Sequence, residues 1–133
     1  MVDRKLKLTV FLLSAILIGL AEAGVAASPK IITAADADHL LTLRMGQEAV
    51  LELPSNRSTG YSWFLADSKD SVLTSLGQPA YRVSRSMPGA GGTETWKFQA
   101  TKAGNGSLKL EYRRPWEKKV PPAKTVLFHI SVK

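Results

Sequence analysis

Thr93-Glu94-Thr95-Trp96-Lys97-Phe98-Gln99-Ala100 is the stretch whose reading decides the fold. Trp96, Phe98 and Ala100 point to one side of an extended chain, and Lys97 and Gln99 to the other. That is the period of two of a strand with one face buried. Glu94 does not fit the pattern. Downstream, Ala103-Gly104-Asn105-Gly106 is a turn signal, because Gly and Asn tolerate positive φ. Residues 107–113 then put Leu108, Leu110 and Tyr112 on one face and Lys109, Glu111 and Arg113 on the other. Residues 125–132 put Val126, Phe128, Ile130 and Val132 on one face. Pro115, Pro121 and Pro122 exclude regular structure between those two strands. Upstream, residues 40–44, 49–53, 61–65 and 80–83 read as further strands, with Ala49, Leu51 and Leu53 alternating and Tyr61, Trp63 and Phe64 favouring a pleated surface. Helical periodicity is missing; residues 34–41 offer at most one turn. Short strands at this spacing predict an all-β chain, an antiparallel sandwich or barrel.

The first stretch is unlike the rest. Arg4, Lys5 and Lys7 precede an apolar run of about thirteen residues, from Leu8 to Leu20. Small residues follow, with Ala21 and Ala23, then Val25 and Ala27, as two candidate cleavage patterns. This predicts a signal peptide over residues 1–27, with cleavage after Ala23 or Ala27, and an exported protein, periplasmic or secreted. A bilayer span takes about 20 apolar residues, so the run is short for an anchor. The remainder, residues 28–133, is one domain, large enough to bury a core. It contains no cysteine, so export leaves it to fold without disulfides.

The chain carries 18 basic and 11 acidic residues. Without Asp3, Arg4, Lys5, Lys7 and Glu22 these become 15 and 9, a net charge of +6. Such a surface steers a protein towards anionic partners. The basic residues are scattered apart from Arg113-Arg114 and Lys118-Lys119, without the stripe and interleaved aromatics of a nucleic-acid binder. The sequence calls for neither cofactor nor metal, no membrane contact once mature, and a monomer.

In an antiparallel arrangement, successive connections alternate between the two ends. The second (residues 54–60), fourth (84–92) and sixth (114–122) then share one end, provided that residues 71–76 do not add a strand. These three are also the most unusual in composition. Asn56-Arg57-Ser58-Thr59-Gly60 predicts a compact projecting turn. Gly89-Ala90-Gly91-Gly92 lets a backbone approach another surface closely. Arg114-Pro115-Trp116 combines a stiffening proline with two residue types that dominate interfaces. Trp116 reads equally well as a cap on the core.

In this order the three motifs resemble those of the chagasin family of cysteine-peptidase inhibitors: Asn-Pro-Thr-Thr-Gly, Gly-x-Gly-Gly and Arg-Pro-Trp. Leu53-Pro54-Ser55, Tyr61, Trp63, Thr93-Glu94 and Tyr112 extend the resemblance over roughly residues 40–133. It implies an immunoglobulin-like sandwich and reversible, non-covalent inhibition of papain-like cysteine peptidases. Ser58, Thr59 and Gly60 would sit at the catalytic centre, on a turn shaped by Asn56. Gly91 and Gly92 would offer backbone hydrogen bonds to one side of the cleft, in a protease-binding loop that also holds Gly89 and Ala90. Arg114, Pro115 and Trp116 would hold the other. Arg57 stands where the family has Pro, which implies a freer unbound loop, by about 0.4–1 kcal/mol, or else a contact with an acidic peptidase rim. Ser58 stands where the family has Thr; it keeps the hydroxyl and loses a methyl.

The residues do not describe an enzyme. The two histidines, His39 and His129, lie on strands away from the unusual loops, and nothing joins His129 to Ser58 and Asp67 as a triad. The remaining reading is an exported sandwich that binds carbohydrate or an envelope protein, using Tyr61, Trp63 and Trp116 as stacking faces.

Overall fold

The computed structural model describes residues 27–67 and 71–133; the expected signal peptide lies outside these residues up to position 26. Among the described residues nine strands form two sheets: β1 (Lys30–Thr33), β2 (Leu40–Leu43), β3 (Glu48–Ser55), β4 (Ser62–Asp67), β5 (Leu73–Ser75), β6 (Ala80–Val83), β7 (Gly92–Ala100), β8 (Gly104–Arg113) and β9 (Lys124–Val132). One sheet runs β1-β3-β7, with β5 and β6 both on the far edge of β7; the other runs β2-β9-β8-β4.

Alternation produces the two layers. Ala49, Leu51 and Leu53 of β3, Trp96, Phe98 and Ala100 of β7, Leu108, Leu110 and Tyr112 of β8, and Val126, Phe128, Ile130 and Val132 of β9 are all buried. Their neighbours in sequence, apart from the buried Ser131, are exposed or half-buried, so the sheets meet through one continuous apolar layer. Burying a Leu or Phe side chain there contributes about 1.5–3 kcal/mol.

The sheets are mixed rather than purely antiparallel. β1 pairs in parallel with β3, and β2 in parallel with β9. β1 leaves no period in the sequence, because only Ile32 of its four residues is buried. The expected helical turn at residues 34–41 is a 3-10 turn over Ala34–Asp36, followed by β2. Gly104, Asn105 and Gly106 are not the turn that their composition suggests. They open β8, paired with Val132, Ser131 and Ile130, and the chain crosses between sheets at residues 101–103.

The extra strand at β5 exists, yet it moves no loop. β5 pairs with Ala100, Gln99 and Phe98, and β6 with Thr95, Glu94, Thr93 and Gly92, both antiparallel to β7. They are two pieces of one interrupted edge strand running in the same direction. No reversal is added, and the three unusual loops emerge at one end.

Candidate functional site

Those loops comprise residues 56–61, 84–91 and 114–123. The first crosses from β3 in one sheet to β4 in the other. The second is the β6–β7 hairpin and the third the β8–β9 hairpin.

The first loop is a single 3-10 turn, Arg57–Thr59, capped at both ends. Asn56 is the N-cap: its Oδ1 accepts from Ser58 N (3.2 Å) and from Ser58 Oγ (2.5 Å). Thr59 Oγ1 donates back to Asn56 O at 2.5 Å. Gly60 closes the turn in the left-handed region, φ 80°, with its N–H on Arg57 O. The hydroxyls of Ser58 and Thr59 are thus turned to the loop's own backbone and cap, which stiffens the tip.

Cross-loop bonds tie the three together. Asn56 Nδ2 donates to Gly89 O at 3.2 Å, linking the first loop to the second. Arg114 Nε donates to Thr59 O at 3.0 Å, linking the third to the first. The Arg114 guanidinium also pairs with Glu117 and lies 4.5 Å over the Tyr61 ring. The indole of Trp116 rests against Gly60 and is 65% exposed. That position answers the open question about Trp116: it stands on the surface, not in the core. Pro115 beside it is exposed too.

In the second loop Ala90 N donates to Met87 O, and Ser84 N to Gly91 O, folding the hairpin on itself. Gly92 is different. It is buried inside β7 between Ser55 and Val83, where a β-carbon would stand 2.2 Å from Arg82 O. It permits close packing of β6 on β7 and takes no part in the projecting surface, unlike Gly89, Ala90 and Gly91.

Four residues outside the three motifs support the tips. Tyr112 accepts the Asn56 N–H on its hydroxyl at 2.8 Å, and its ring stacks with Tyr61 at 5.2 Å and Trp63 at 5.0 Å. Glu94, 1% exposed, accepts the Trp63 N–H at 3.0 Å and faces Arg57 Nη2 at 3.4 Å. Tyr81 lies 4.7 Å under the Arg57 guanidinium. Met87, 63% exposed, adds an apolar tip to the second loop. Glu94 carried a signal in the sequence, as the one misfit in the deciding strand. Tyr112 stands out only through its place just before the third motif, and Tyr81 and Met87 do not differ in sequence from ordinary strand and loop residues.

The arrangement does not bring His129 to Ser58. His129 pairs with Ser107, five residues along β9 from its loop end, or about 17 Å at strand rise; Ser58 is on the tip. Nor do the aromatics share one platform. Trp63 is buried, and Tyr61 has Tyr112 and Arg114 against its ring, which leaves Trp116 as the open face. Charge is concentrated here. The loops hold Arg57, Arg85, Arg114, Lys118 and Lys119 against Glu117. Among the described residues, Arg85, Lys118 and Lys119 are in no ion pair.

A model of one family, described as chagasin family peptidase inhibitor I42, matches residues 42–130. Chagasin from Trypanosoma cruzi is 29% identical over 89 residues, covering 64% of this chain and 81% of that protein. Amoebiasin-1 from Entamoeba histolytica is 33% identical over 76 residues, 57% of this chain and 74% of its own length. The crystal structure of a cysteine protease inhibitor from Entamoeba histolytica superposes with a TM-score of 0.69 at 22% identity, over 80% of this chain and 96% of that one.

Proposed function

This chain belongs to the chagasin family of peptidase inhibitors, and on that premise we propose that its three loops fill the active-site cleft of a papain-like cysteine peptidase, reversibly and without a covalent bond. It is a cysteine protease inhibitor and not an enzyme. The observation that carries the reading is the pair of cross-loop bonds, Asn56 to Gly89 and Arg114 to Thr59. They join three separate connections into one wedge before any partner is present.

Physics favours such a wedge. A tip ordered beforehand loses less entropy on docking. Thr59 and Gly60 lead, Gly89 to Gly91 present backbone on one flank, and Trp116 presents an open aromatic on the other. Its own hydroxyls are engaged internally, so the loop brings no nucleophile to the peptidase. Arg85, Lys118 and Lys119 add a cationic skirt on both flanks, suited to a peptidase with an anionic cleft rim. The basic start and apolar run at residues 4–20 support export, so the encounter would take place outside the cytosol.

The test is a titration of residues 28–133 into papain with a fluorogenic peptide. Loss of activity at stoichiometric inhibitor, recovered on separation of the complex with both chains intact, is the expected result. Full papain activity at excess inhibitor, together with retention on a polysaccharide column, would favour a carbohydrate-binding module instead.

A further inference from the structure

We propose that Arg57 is a positioning residue: its side chain clamps the first loop in docking shape and does not itself reach the peptidase. Its site on an inhibitory tip, with the side chain 44% exposed, invites the opposite reading, of an arginine held out for an acidic partner. Three observations decide between the two.

First, the guanidinium is already engaged. Nη2 lies 3.4 Å from Glu94 Oε1, and Cζ lies 4.7 Å over the Tyr81 ring. Second, Glu94 is 1% exposed, and Arg57 is its cationic partner among the described residues. Swinging Arg57 out to a peptidase would strand a buried carboxylate, which is strongly unfavourable. Third, the anchor points belong to different strands. Tyr81 is on β6, Glu94 on β7, and Glu94 Oε2 holds the N–H of Trp63 on β4. Arg57 therefore fixes the first residue of the turn against both sheets. Arg57 O in turn holds the Gly60 N–H at 3.0 Å, and Gly60 carries Trp116. The clamp acts on the tip through this chain of contacts.

The same position would accept proline. It opens the 3-10 turn, follows an extended residue (Asn56, φ −129°, ψ 90°), and its N–H has no acceptor among the described residues. Proline suits such a site. It would stiffen the turn through the backbone, whereas arginine does so through its side chain.

That equivalence supplies the experiment. The clamp depends on the inhibitory reading only for what the tip docks into, so free-protein amide exchange at Thr59 and Gly60 is measured beside association and dissociation rates on papain. Arg57→Ala should speed exchange at both amides. It should lower the association rate about fivefold, since a smaller fraction of loops is competent, with dissociation little changed. Arg57→Pro leaves Glu94 as unpaired as Arg57→Ala does, with the same cost to global stability, yet relative to Arg57→Ala it should recover local protection at the tip and association; Arg57→Lys should fall between. Unchanged exchange in Arg57→Ala overturns the proposal. So does an Arg57→Pro variant as weak as Arg57→Ala with faster dissociation, because Arg57 would then be a direct contact. Should Arg57→Ala not fold, the proline and lysine variants carry the same decision. Should the parent chain leave papain active, the inhibitory reading fails, and exchange alone still supports or overturns the clamp.

Discussion

The indole of Trp116 lies on the α-carbon of Gly60, so closely that a β-carbon there would stand 2.2 Å from Trp116 Cη2. Gly60 also has φ 80°, a region that costs other residues roughly 1 kcal/mol. Gly60→Ala therefore strains the turn and evicts the indole together. The indole is exposed and can swing away, so the domain survives. Expected are a stability loss of about 1 kcal/mol by chemical denaturation, a shift in tryptophan emission, and a much larger loss of inhibition. A wild-type emission spectrum in this variant would mean that the contact is not held in solution.

Trp116→Ala separates surface from core. With 65% of the residue exposed, its removal should change folding stability by less than about 0.5 kcal/mol. As an interface anchor it should cost about 2–4 kcal/mol of affinity for the peptidase, mostly as faster dissociation. Global unfolding on this substitution would show the indole to be part of the core after all.

Glu94→Ala removes the acceptor of the Trp63 N–H and the partner of Arg57 in one step. A buried amide left unpaired costs about 1–3 kcal/mol, and the loss of packing adds to it. We expect a lowered urea midpoint with an unchanged slope. Combined with Arg57→Ala the two losses should be less than additive, since the residues are in contact. Strict additivity would indicate that the pair does not interact.

Lys118→Glu/Lys119→Glu reverses charge on the third loop, where both side chains are exposed. Against a peptidase with an anionic rim, the association rate should fall roughly tenfold at low ionic strength. The difference should shrink as salt rises, since screening reaches about 10 Å at 0.1 M. Dissociation should stay nearly constant. Stopped-flow rates from 20 mM to 500 mM NaCl check this, and a salt-independent difference would place these lysines in direct contact instead.

Alternation made the inner strands readable, because β3, β7, β8 and β9 each bury several side chains on one face. β1 and β5 each bury only one and left no period to detect. Gly104 to Gly106 misled for a different reason: composition reports which φ values a segment can adopt, not whether a ladder partner is waiting in β9. At the site, the motifs of the three loops could be read directly, as could their common end. Their cross-bracing could not. Asn56 to Gly89 spans 33 positions and Arg114 to Thr59 spans 55. No local rule links residues that far apart. Gly92 looked like part of a flexible tip, yet packing between strands is what requires it.

The first loop is the one bridge among the three that passes from sheet to sheet; the other two each return within their own layer. A slide of one layer over the other would pull Asn56 from Gly89 or Arg114 from Thr59, and blunt the tip. The cleft of a bound enzyme would work as a vice on the open end of the sandwich, opposing that slippage. Occupancy should then slow amide exchange in the interior ladders of β3, β8 and β9, far from any surface the enzyme covers.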